Sequence, residues 1–105
     1  MVEEVHKNDI GTKFLVTIKD GTTVVDISGA SGDTDKQIIF EKPDGTVITK
    51  NATFDTDGTD GKIYYITIDE DLNLSGQWKI QAKVVLADGT WRTSIDDFEV
   101  YENLE

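Results

Sequence analysis

The chain has 105 residues, 37% of them hydrophobic, with 21 acidic residues against 10 Lys and Arg and a formal net charge of −11. That length suits one domain around one core, and the organised apolar runs exclude a disordered chain. The negative field repels phosphate backbones and no basic patch interrupts it, which excludes nucleic acid as a partner.

The same charge supports solubility or, on a sharper reading, attraction to a cation or a basic partner surface. With no cysteine, the chain has no disulfide, zinc-thiolate site or thiol nucleophile. Residues 1–7 are too acidic and polar for a secretory signal, and no apolar run approaches the ~20 residues of a spanning helix. The expectation is a protein made in the cytoplasm with no membrane partner. Leu104 and Glu105 read equally well as native residues or as a cloning remnant.

Taken in order, the segments alternate with the period of strands rather than helices. Residues 1–10 are an N-terminal arm or a first strand. Phe14, Val16 and Ile18 share one face of a strand, followed by an Asp20-Gly21 turn and a second run at Val24-Val25-Asp26-Ile27. Residues 29–33 read as a loop. A strand over residues 36–42 stops at Pro43, and Pro43-Asp44-Gly45-Thr46 turns it into a hairpin with Val47-Ile48-Thr49.

Ala52-Thr53-Phe54 is a short edge or corner strand, and residues 55–61 are a polar loop. Residues 62–68 alternate, with Ile63, Tyr65 and Thr67 opposite Tyr64, Ile66 and Ile68. Residues 69–76 are the one place for a short helical turn. Trp78, Ile80, Ala82 and Val84 then share a face of the clearest half-buried strand. Ala87-Asp88-Gly89-Thr90 turns into a last strand over residues 91–101, with a bulge or bend at Asp96-Asp97.

About seven to nine short strands without a long helix fit a sandwich or small barrel. The predicted core is Phe14, Val16, Ile18, Ile39, Ile66, Trp78, Ile80, Ala82, Val84, Phe98 and Val100.

Three stretches carry a resemblance: residues 37–46, residues 72–80, and Ala87-Asp88-Gly89-Thr90-Trp91. Together they resemble the immunoglobulin-like domains of phage baseplate upper proteins. In that family a strand runs into a Lys-Pro-Asp-Gly-Thr-like hairpin, and a Leu-x-x-x-Gly-x-Trp/Tyr corner opens a central strand. Leu72, Gly76 and Trp78 match the corner; Gly89, Phe98 and Val100 match the final hairpin.

The similarity spans residues 11–101, leaving 102–105 as a C-terminal tail. It implies an all-β, immunoglobulin-like antiparallel sandwich and a structural, protein-binding role in a tailed-bacteriophage virion. Baseplate or tail, neck and capsid decoration are the positions it admits, with other virion proteins or copies of itself as partners. The alternative is an adhesion or carbohydrate-binding module on a virion or a bacterial surface protein.

No catalytic constellation stands out. His6 is the single histidine and sits in a charged stretch; Ser28, Ser31, Ser75 and Ser94 lack a nucleophile elbow. No cofactor motif is present. Asp55, Asp57 and Asp60, with Gly58 and Gly61, are the only candidates for a metal. An EF-hand would want a Gly sixth and a Glu twelfth, where this loop has Asp60 and Ile66. The reading taken is a solvated turn, with no metal expected. Asp69, Glu70 and Asp71 form a second acidic cluster, either loop surface or the first turn of a short helix. Trp91, Tyr64 and Tyr101 are the interface candidates, weighed against packing at the edge of the core.

Overall fold

A computed structural model describes residues 5–32, 34–87, 89–93 and 95–103. Asp88 of the expected hairpin turn, Ser94, residues 1–4 of the arm, and Leu104 and Glu105 lie outside the described residues. Among the described residues there is no helix. The strands are β1 (Val5–His6), β2 (Lys13–Thr17), β3 (Lys19–Asp20), β4 (Thr23–Val24), β5 (Lys36–Glu41), β6 (Val47–Asn51), β7 (Thr53–Phe54), β8 (Lys62–Ile66), β9 (Gly76–Leu86), β10 (Gly89–Arg92) and β11 (Asp96–Tyr101). Two-residue pairings raise the total to eleven, above the seven to nine expected.

A large sheet runs β1-β11-β9-β5-β6, with β10 also on β9; a small sheet runs β2-β8-β7, and β3-β4 is a separate hairpin. The two larger sheets enclose the core in a sandwich-like arrangement. Rings from both meet there: Phe14 of the small sheet lies 5.3 Å from Phe40 and 4.9 Å from Phe98, and Trp78 lies 5.8 Å from Phe98. Phe14 and Phe40, both buried, each contribute about 1.5–3 kcal/mol of transfer free energy.

The turns follow local chemistry. Gly45, at φ 90°, closes the β5–β6 hairpin, where the Lys42 N–H donates to Thr46 O at 2.8 Å. Gly61, at φ 69°, sits where a Cβ would lie 2.7 Å from Val24 Cγ1 and 2.9 Å from Ile18 O. Only glycine lets the small sheet approach the β3-β4 hairpin so closely.

Two members of the predicted core face outward. Ile66 is 47% exposed and Ile39 is only half-buried, while Ile63, Ile38 and Phe40 are buried. Both strands have consecutive apolar residues, so their own sequence leaves the parity open. Pairing decides it: Ile38 opposes Ala82 and Phe40 opposes Ile80, while Ile63 opposes Val16 and Ile66 opposes Lys13. Val16 and Phe98 are half-buried at the core's margin. Val5, Ile27, Ala30, Ala52 and Leu72 join the core, all but Val5 from outside any strand.

The stretch expected as one last strand is two. From Arg92 to Asp96 the chain advances four residues while β9 advances three, from Lys83 to Ile80. This bulge lies just before Asp96-Asp97, which instead pair regularly with Ile80 and Lys79. Thr93 holds it: its N–H donates to Ala82 O at 3.0 Å and its Oγ1 accepts the Ala82 N–H at 2.9 Å.

Candidate interaction site

The longest strands at unpaired sheet edges are β2 and β6, five residues each. Bonds from Thr67 N–H to Thr12 O and from Ile18 N–H to Gly61 O bracket the β2–β8 ladder. Because antiparallel ladders bond alternate residues, Lys13, Leu15 and Thr17 turn their N–H and C=O away from β8. By the same parity, set by Lys42 N–H to Thr46 O and Ala52 N–H to Lys36 O, Val47, Thr49 and Asn51 of β6 turn theirs outward. Such rows can take up a further strand.

Beside β2 the sandwich is open among the described residues. Among the described residues, the first edge strand of the large sheet, β1, covers only Val100 and Tyr101 of β11. Towards the other end of β11, a 410 Å³ cleft separates β2 from the bulge, lined by Leu15, Val16, Thr17, Ile80, Thr93 and charged neighbours. Those neighbours are Lys19, Arg92 and Asp96, so the cleft carries two cations and one carboxylate on a chain of net charge −11. A shallower 200 Å³ hollow on the outer face of the large sheet borders β6, with Ile39, Val47 and Ile95 around Lys79 and Gln81.

The cluster Asp69, Glu70 and Asp71 resolves into a turn, not a helix. Glu70 has φ 72°, which stops helical continuation, and Asp71 is buried. The Asp71 carboxylate accepts the Tyr65 phenol and the Ile68 N–H at 2.8 Å, and pairs with Lys50 Nζ at 3.0 Å. Burial pushes its pKa up, but the Ile68 N–H, the Tyr65 hydroxyl and the Lys50 ammonium outweigh that and hold it below 3.8. Burial, then the Asp71 bond and charge, pushes the Tyr65 phenol well above 10.0. Lys50 lies on β6 and Tyr65 on β8, so this triad ties one sheet to the other.

Lys36 is the other buried charge among the described residues, 7% exposed on the inner face of β5. Its Nζ donates to Ala30 O at 3.1 Å and Gly32 O at 3.2 Å and sits 4.6 Å from the centre of the Phe54 ring. It thereby fixes the segment before β5. Neither buried charge shows as such in the sequence, because each looks like one more member of a polar run.

Asp55, Asp57 and Asp60 fall in the β7–β8 loop, each engaged locally. Asp55 pairs with Lys13 at 3.2 Å; Asp57 accepts the Thr59 hydroxyl at 2.6 Å and its N–H at 3.0 Å; Asp60 accepts the Lys62 N–H at 3.1 Å. The Thr59 hydroxyl and N–H lower the Asp57 pKa. No group of three or more His, Cys, Asp or Glu side chains that could hold a metal occurs among the described residues.

Trp91, Tyr64 and Tyr101 do not form one patch. Tyr64 is half-buried on the outer face of the small sheet beneath Lys13, whose Nζ lies 4.6 Å from the ring centre. Tyr101 is 42% exposed on the outer face of the large sheet, its ring 5.8 Å from that of His6. Trp91 is half-buried on β10, opposite Val84, with its ring against Gly89. His6 Nδ1 lies 3.0 Å from Asn103 Oδ1.

Fold and surface together define a small all-β, sandwich-like domain whose exposed chemistry is strand edges, loops and an open cleft. The family model described as the BppU N-terminal domain, of a phage baseplate upper protein, matches residues 4–101, and the chain belongs to that family. No curated protein and no solved structure gives a significant match.

Proposed function

We propose that the chain is a structural, protein-binding domain of the virion of a tailed bacteriophage, seated in the baseplate and working without catalysis. Its sandwich is of the immunoglobulin-like kind. Membership of a baseplate protein family supports the location. The observation that carries the binding role is the pair of unpaired edges, β2 and β6, each offering three residues of outward backbone groups. Edges of this kind take neighbouring chains by main-chain hydrogen bonds, with side-chain contacts supplying selectivity. The charge of −11 opposes self-association of the free chain until a complementary surface is met. Mass spectrometry of purified particles tests the reading. Stoichiometric recovery of the chain's peptides is expected, and their absence from intact virions contradicts it.

A further inference from the structure

We propose that the cleft beside β2 receives an extended, acidic segment of a neighbouring virion protein, which adds a fourth strand to the small sheet. The partner's place in the virion rests on the function proposed above; the cleft's preference does not.

Three observations converge there. Leu15 and Thr17 turn N–H and C=O into the opening, and no described strand pairs with them. Val16 and Ile80, side chains of the two inner faces, line the same opening, so a strand laid along β2 would face them with every second residue. Its remaining side chains would lie in the outward row of β2, which continues to Lys19. Arg92 stands across the cleft, and neither cation has a carboxylate within ion-pairing distance among the described residues. On a chain of net charge −11, two unpaired cations around one Asp96 make this a local site for a carboxylate. The occupant therefore has apolar residues at alternate positions and an acid between them. The hollow that borders β6 has no such surplus of positive charge, since its one lining cation, Lys79, is matched by the carboxylate of Glu41 in the same lining, and Lys50 of β6 is held by Asp71.

The test uses the full chain and a blocked seven-residue peptide alternating Thr and Val, with Glu replacing one Thr. A second peptide carries Lys in place of that Glu. Amide hydrogen exchange is followed residue by residue by NMR. The acidic peptide is expected to slow exchange at Leu15 and Thr17 and to bind roughly ten-fold more tightly than the basic one. The double reversal Lys19→Glu with Arg92→Glu is expected to invert that preference. Leu15→Pro removes an outward N–H but no β8 bond, and is expected to abolish binding. Protection at Thr49 and Asn51 instead, equal binding of both peptides, or no binding of either at millimolar concentration overturns the proposal. Should Leu15→Pro fail to fold, the exchange pattern of the unaltered chain and the charge reversal still decide. Particles lacking the chain alongside a protected β2 edge would overturn the virion role alone; an unprotected β2 edge in a chain found in particles would overturn the cleft alone.

Discussion

Replacing Asp71 with Asn is expected to remove about 2 kcal/mol of stability at pH 7. The side chain of Asp71 is 8% exposed and pairs at 3.0 Å with Lys50, itself 28% exposed. Asn keeps an oxygen for the Ile68 N–H but meets the ammonium with no charge. Stripping one partner from a fully buried pair costs ~3–5 kcal/mol. Lys50 retains enough exposure to recover water, which brings the loss toward the ~1.5–3 kcal/mol of a hydrogen bond to a charged group. At ~4–8 °C per kcal/mol for a domain of this size, the melting temperature should fall by about 10 °C. Urea unfolding followed by tryptophan fluorescence measures both. The folded-state pKa of Asp71 lies below its unfolded value of 3.8, so its contribution is complete above about pH 4. It is lost as acidification passes through the folded value, and the gap between parent and variant should close there. A loss under ~0.5 kcal/mol, or a gap independent of pH below 4, refutes the reasoning.

Trp78→Ala should cost ~3–5 kcal/mol, since the ring is wholly buried and its Nε1 donates to Leu74 O at 3.0 Å; a change below ~1 kcal/mol in the same assay contradicts a core role. Lys36→Met keeps the apolar stem but leaves the carbonyls of Ala30 and Gly32 without their donor, an expected loss of ~1–3 kcal/mol. An unchanged denaturation midpoint would show that water replaces the ammonium. Calcium or a chelator should leave the melting temperature in place, because Asp57 and Asp60 already serve their own turn. A saturable rise that disappears in Asp57→Ala would establish a bound cation.

Much of the sandwich was legible where one residue type alternated without ambiguity. Trp78, Ile80, Ala82 and Val84 are separated by polar residues and admit one parity, and all four are buried. The Pro43-Asp44-Gly45 turn carries its own chemistry, and Gly45 has the positive φ expected of it. Where apolar residues are consecutive, as at Ile38-Ile39-Phe40 and Ile63-Tyr64-Tyr65-Ile66, the partner strand chose the inward face. That choice is a tertiary fact with no local signal. Ile27, Ala30 and Leu72 were missed because they plug the core from loops, outside any period. The cleft was out of reach for a related reason. It lies beside the bulge that interrupts the partner of β9, and Lys19, Leu15 and Arg92 become neighbours only through that topology.

The central claim is that this domain works by docking to other virion subunits. Phage particles assembled without the chain, then offered the purified chain across a range of salt concentrations, test it most directly. Uptake to a fixed stoichiometry is expected, with an association rate that changes with ionic strength. Particles that never take up the folded chain at any salt concentration would contradict the account.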